Sequence, residues 1–115
     1  MKIDIKPFSV NKAFQGRRFR TPEYRCFSDE LTLKLEPMEI PEGAIQLDII
    51  WGMSNMGSDV DNCAKTFIDV FSKFHGFNDN RIHKLTLEKA KVTKGEEFID
   101  FIVLPYLPSD RVVVL

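Results

Sequence analysis

Ala64-Lys65-Thr66-Phe67-Ile68-Asp69-Val70-Phe71-Ser72-Lys73-Phe74-His75-Gly76 is the stretch from which the fold is read. At about 100° per residue, Ala64, Phe67, Ile68, Val70, Phe71 and Phe74 fall on one broad face. Asp61, Lys65, Asp69 and Ser72 fall opposite, and Gly76 is placed as a C-terminal stop. A helix apolar on one side needs a sheet or another helix to cover it. Upstream, Ile45, Leu47, Ile49 and Trp51 alternate with Gln46, Asp48 and Ile50, which predicts a strand over 44–51. The turn-rich run Gly52-Met53-Ser54-Asn55-Met56-Gly57-Ser58 joins the two.

Other elements follow outward from that pair. Thr21-Pro22-Glu23 is a helix start: a hydroxyl cap, a proline where its missing N–H does no harm, and an acid in the first turn. Tyr24, Phe27, Leu31 and Leu35 recur at helical spacing, and Pro37 and Pro41 close the segment. Residues 2–6 read as a short strand and residues 7–20 as an irregular loop. Asn78-Asp79-Asn80 reads as a tight turn. Residues 81–92 and 96–104 read as a β-hairpin about Thr93-Lys94-Gly95-Glu96. The order β-α-β-α-β-β predicts a single α+β domain over 1–104, a small mixed sheet with two helices packed on it. The tail 105–115 ends in Val112-Val113-Val114-Leu115, an edge strand, a dimer contact or a disordered end.

The chain has 115 residues, 43% of them hydrophobic and 29% charged, the composition of one globular domain rather than a disordered tail. It has no apolar run long enough to span a membrane, and its first residues lack the hydrophobic segment of a signal peptide. Cys26 and Cys63 have no metal-ligand spacing and fit a reducing cytoplasm, and neither His75 nor His83 pairs with a cysteine at zinc spacing. The net charge of −1 by itself points to no polyanionic partner. Its distribution is uneven. Lys12, Arg17, Arg18, Arg20 and Arg25 stand against Glu23 alone, and Arg81, Lys84, Lys89, Lys91 and Lys94 against Glu88, leaving an acidic remainder. Two such segments suit a phosphate track beside a metal-binding pocket, although mixed-sign surfaces also contain such stretches by chance.

The chemistry is concentrated in Asp59-Val60-Asp61-Asn62-Cys63-Ala64-Lys65, with Asp69 and Asp79 downstream. Asp59 and Asp61 are two apart, so an extended segment entering a helix points both the same way. Lys65 and Asp69 follow at one-turn intervals, and the chain's return is expected to bring Asp79 back toward the helix start. Mg²⁺ takes oxygen ligands and keeps several waters, so two or three convergent carboxylates suffice. Taken singly, each group has an ordinary role: Asp61 an N-cap, Asp61, Lys65 and Asp69 a solvated ion-pair ladder, Asp79 a turn former, His75 a partner for the helix dipole, and Cys63 a packed side chain.

Taken together, Asp-x-Asp-Asn-x-x-Lys with helical Asp69, then Gly76-Phe77 and an acid before a strand, resembles the RusA family of Holliday junction resolvases. The segment 7–25, from Pro7-Phe8-Ser9-Val10-Asn11 to Tyr24-Arg25, is similar to the family's N-terminal part, and the resemblance runs over about residues 3–104. It implies metal-binding carboxylates at Asp59, Asp61 and Asp79, an active-site lysine at Lys65, and a supporting acid at Asp69. The implied protein is a homodimeric, Mg²⁺-dependent endonuclease (Mn²⁺ substituting) that resolves four-way DNA junctions in recombination and repair. It would act in the cytoplasm of a bacterium or of a phage-infected host. Lys12, Arg17, Arg18, Arg20, Arg25, Arg81 and Lys84 would hold the DNA arms. Two other classes compete: a non-catalytic DNA-binding recombination accessory protein, and a metal-dependent hydrolase of small phosphate esters.

Overall fold

The computed structural model describes residues 1–15 and 19–113. Its elements are β1 (Lys2–Ile3), β2 (Phe14–Gln15), β3 (Phe19–Arg20), α1 (Pro22–Lys34), β4 (Ile45–Met53), α2 (Ala64–His75), β5 (Ile82–Lys91) and β6 (Phe98–Pro105). Short 3-10 turns cover Val10–Lys12 and Asp79–Arg81. β1, β6, β4 and β5 form one mixed sheet in that order, and β2 and β3 a separate antiparallel pair. The α+β reading with two helices and a mixed sheet therefore holds. Segment 7–20, read as irregular, carries the 3-10 turn and both strands of the small β2–β3 ladder.

The central strand is the most apolar one. Ile45, Leu47, Ile49 and Trp51 of β4 are buried with Ile99 and Phe101 of β6, and Tyr24, Phe27 and Leu31 of α1 with Phe67 and Phe71 of α2 close over them. Phe67 meets Trp51 edge-on with centroids 6.1 Å apart, and Phe101 at 5.3 Å. Burying each such ring stabilises the fold by about 1.5–3 kcal/mol. The opposite face of the sheet carries rows such as Leu104, Gln46 and Lys84, then Ile102, Asp48 and Thr86, with Ile102 and Leu104 exposed. Both helices lie on one side.

Two helix expectations need correction. Ser72, assigned to the polar stripe of α2, is buried, and Asp69 is half-buried, because α1 packs close to that side. Asp61 does not cap α2: residues 60–63 form turns, and Cys63 occupies the cap position with no side-chain bond. Thr21, by contrast, caps α1 as expected, its hydroxyl accepting from the Tyr24 N–H at 3.2 Å. Gly76 ends α2 at φ 70°, in the left-handed region that favours glycine.

The expected hairpin between residues 81–92 and 96–104 does not form. β5 pairs parallel to β4, β6 pairs antiparallel to β4, and β4 lies between them. Alternation identified both strands but not their partner; the strand with the larger apolar face takes the centre. The connection crosses the end of β4, where the Val92 N–H donates to the Met53 carbonyl at 3.0 Å. Gly52 is required there, since a Cβ on it would stand 2.2 Å from the Phe98 ring. After Pro105 no strand occurs among the described residues, which reach Val113, so of the three readings of the tail the edge strand is not seen there. Tyr106 ties the tail back, donating to the Ala44 carbonyl at 3.0 Å and meeting the His83 ring at 5.2 Å.

Candidate functional site

Asp59 and Asp61 lie on the loop between β4 and α2, both exposed. The loop is not free chain. Lys91 Nζ donates to the Ser54 carbonyl at 2.7 Å, and Lys89 Nζ to the Met56 and Ser58 carbonyls at 3.3 and 2.9 Å. Trp51 Nε1 donates to the Val60 carbonyl at 2.8 Å, and the Val10 N–H to the Asn62 carbonyl at 2.8 Å. Every second carbonyl from 54 to 62 is thus taken by a donor from β4, β5 or the Val10 turn. The carbonyls of Asp59 and Asp61 accept instead from the nearby N–H groups of Asn62 and Ala64. At the start of the loop the Ser54 hydroxyl donates to Glu97 at 2.8 Å. Glu97's carboxyl is held below its ordinary pKa by its own backbone N–H, the Ser54 hydroxyl and the Gly95 N–H.

Lys65 follows on the first turn of α2, with its ammonium 3.5 Å from the Asp69 carboxylate. Among the described residues that pair is the member of the expected Asp61–Lys65–Asp69 ladder that forms, and its exposed lysine makes it weak, about 0.3–0.5 kcal/mol. Asp69 also faces α1. Burial raises the Tyr24 phenol's pKa, Asp69 raises it further, and Arg20, whose guanidinium lies 5.2 Å from the ring centre, works the other way. Arg20, Tyr24, Asp29, Asp69, Lys73 and Phe74 line an open cleft of about 410 Å³ between the helices. Cys63 is buried and its thiol is pushed up to about 11, which makes it an inert packed group.

Asp79 stands elsewhere. Because β5 runs parallel to β4, its first residue Ile82 pairs with Ile45, the first residue of β4, while the Asp59 loop leaves the far end at Met53. Asp79 sits in the turn just before Ile82, beyond the C-terminus of α2, which is about 18 Å long. The expectation that the chain's return brings Asp79 to the helix start is overturned by this topology. Among the described residues no three His, Cys, Asp or Glu side chains are grouped closely enough to hold a metal ion.

The basic residues also divide. Lys12, Arg20 and Arg25 are exposed around the Val10 turn, β3 and the first turn of α1. Arg17 and Arg18 lie outside the described residues. Arg81 is spent on structure, its guanidinium donating to the Gly43 and Pro41 carbonyls and lying 5.6 Å from the Phe77 ring centre. Lys84 points to the helix-free face of the sheet. Among the described residues the two basic segments therefore form no single track: Lys89 and Lys91 serve the acidic loop, and Arg81 the turn before β4. A lysine at i and i+2 of a strand marks one face in the sequence, but nothing in it says that this face carries a loop.

His75, expected to meet the dipole of α2 as a cation, packs against Phe71 and Phe74 at 4.7 and 4.9 Å, and burial lowers its pKa. Among the described residues no helix is long and apolar enough to cross a membrane. Compared with protein-family models and with curated proteins, the chain finds no match in either comparison.

Proposed function

We propose that this chain is a Mg²⁺-dependent, structure-selective endonuclease of the RusA kind that acts as a homodimer on four-way DNA junctions. The observation that carries the reading is the Asp59–Asp61 pair, exposed on a loop fixed at alternate carbonyls, with Lys65 on the next helical turn. Two carboxylates fit Mg²⁺, which binds through one or two carboxylates and completes its shell with water and substrate phosphate. Mg²⁺, when bound, supplies an acidified water and charge stabilisation at a phosphodiester. Asp59 and Asp61 hold the ion, and Lys65 neutralises charge on the scissile phosphate, with Asp69 fixing its ammonium. Since one chain keeps Asp79 at the other end of α2, Asp79 enters this reading as a residue brought to the pair by the second subunit of a two-fold dimer. Lys12, Arg17, Arg18, Arg20 and Arg25 hold DNA through phosphates, which give affinity and position without sequence information. The reading carries recombination and repair, and a bacterial or phage-infected cytoplasm, with it.

The test is a labelled immobile four-way junction incubated with protein in Mg²⁺ or in chelator. Paired, symmetric nicks in Mg²⁺ alone are expected. No metal-dependent nicking, or equal cutting of linear duplex, would overturn the reading. Cleavage of a small phosphodiester unaffected by excess junction would replace it with the small-ester hydrolase.

A further inference from the structure

The geometry points to Lys89 as the positioning residue of the Asp59–Asp61 pair: its ammonium, from β5, fixes the loop backbone that aims both carboxylates outward. The inference rests on the metal reading above. It begins from a regularity in the backbone. Residues 54, 56, 58, 60 and 62 turn their carbonyls toward donors in the body of the protein, namely Lys91, Lys89, Lys89, Trp51 and Val10. The segment bends at 54 and 58 and turns at 56–57 and 60–63, so its shape is set by where it is tied rather than by strand geometry. Fixing five carbonyls along it restricts the loop's freedom to move against the body of the protein, and Asp59 and Asp61 remain exposed.

Among these donors Lys89 has the decisive place. It alone takes two carbonyls, and the second, Ser58 at 2.9 Å, belongs to the residue next to Asp59. Trp51, one strand away, takes Val60, the residue between the two acids. The register pairs Trp51 with Lys89, so both donors rise from the same row of the sheet on its helix-covered face. A cation suits this position for a second reason. Neighbouring carboxylates repel each other until a metal arrives, and an ammonium bonded to the Ser58 carbonyl, next to Asp59, offsets that repulsion without occupying either carboxylate. Groups that orient metal ligands in this way are worth about 10–100-fold in metal affinity when removed.

Three variants of the full chain test this: Lys89→Met, Lys89→Arg and Lys91→Met, each checked for wild-type secondary structure by circular dichroism. Two readouts are taken, backbone amide exchange over residues 54–62 and Mn²⁺ binding measured by electron paramagnetic resonance. Lys89→Met should speed exchange across 56–61 and weaken Mn²⁺ binding about tenfold. Lys91→Met, which frees only the Ser54 carbonyl, should do less, and Lys89→Arg, which keeps the charge and the donors, should restore most of both. Unchanged exchange and unchanged Mn²⁺ affinity in a folded Lys89→Met protein would overturn the positioning role. If Lys89→Met does not fold, Lys89→Gln takes its place, and unchanged exchange across 56–61 with unchanged Mn²⁺ affinity in that folded variant would overturn the role as well. A wild-type protein that binds no Mn²⁺ at all overturns the metal reading itself, a result distinct from either of these.

Discussion

The two ends of α2 each carry acids that the sequence marks as functional, yet they are built differently. At the N-terminal end, the loop with Asp59 and Asp61 is held by side chains and backbone from three separate parts of the chain. At the C-terminal end, the turn with Asp79 is held by bonds within itself and by one side chain, Arg81, which reaches the Gly43 and Pro41 carbonyls. Asn78 Oδ1 accepts from the Asn80 N–H at 3.0 Å, and the Arg81 N–H donates to the Asn78 carbonyl at 3.1 Å. The first end is fixed by donors from several separate parts of the chain, the second by local turn chemistry and the single Arg81 guanidinium. The difference teaches that acids one helix apart in sequence are divided by that helix in space. Joining them takes either a return of the chain or a second chain, and the parallel pairing of β4 and β5 rules out the return.

The largest expected effect breaks or sharpens this comparison directly. Asp61→Asn and Asp79→Asn should each reduce junction nicking to background as homodimers while leaving junction binding largely intact. A mixed dimer of one Asp61→Asn and one Asp79→Asn subunit separates the geometries. If Asp79 serves the partner's pair, one site in the mixed dimer is intact and one strand is nicked. If Asp79 serves its own chain, both sites are damaged and no strand is cut. Full nicking by Asp79→Asn homodimers would remove Asp79 from the chemistry altogether and leave the two ends functionally unrelated.

The elements were legible because each rests on local physics: the face of α2, the Thr21-Pro22 start of α1, the alternation of β4, and Gly76 as a stop. The partner of each strand was not legible. β5 and β6 both alternate, and a Gly-containing connection between them, with Gly95 at φ 96°, reads as a hairpin turn; only the larger apolar face of β4 decides that it enters between them. The site divided in the same way. Asp59, Asp61 and Lys65 are neighbours in sequence, and that alone placed them on one loop and the helical turn that follows it. Lys89, Lys91 and Trp51 reach the loop through strand register, which is a property of pairing that no single segment carries. The position of Asp79 failed for the same reason, since it depended on the direction of β5 relative to β4.

A smaller effect contrasts the two kinds of support. Trp51→Phe removes the donor to the Val60 carbonyl and leaves space where the indole packs against Phe67, a cost of about 2–4 kcal/mol. Asn78→Ala removes one local bond at the other end and should cost about 1 kcal/mol. Urea unfolding of both variants measures this. Amide exchange should show Trp51→Phe loosening residues 58–63, and Asn78→Ala leaving that loop unchanged. Equal costs, or a loosened Asp59 loop in Asn78→Ala, would mean that the two ends are not independently held.

The smallest effect concerns His75, in the last turn of α2 next to the Asp79 end. Its Nε2 is buried with no hydrogen-bond partner among the described residues, and its ring stands between Phe71 and Phe74. Burial lowers its pKa, so as pH falls the unfolded chain binds the proton before the folded one does. The stability that the neutral ring contributes is therefore full above the ordinary value of about 6.5. It is lost as pH falls from there through the lower folded-state value. His75→Phe keeps the aromatic contacts and removes both the orphaned nitrogen and the titration. It should stabilise the protein by up to about 1 kcal/mol near neutrality, and by more at pH 5. Urea unfolding of wild type and variant at both pH values gives the difference that matters, since other groups titrate equally in each. A difference that does not grow on acidification would show that His75 is solvated and leaves the Asp79 end without a pH-dependent weakness. If instead wild-type exchange at pH 5 rises across 54–62 as much as across 72–81, acid acts on both ends at once, and the separation between them fails.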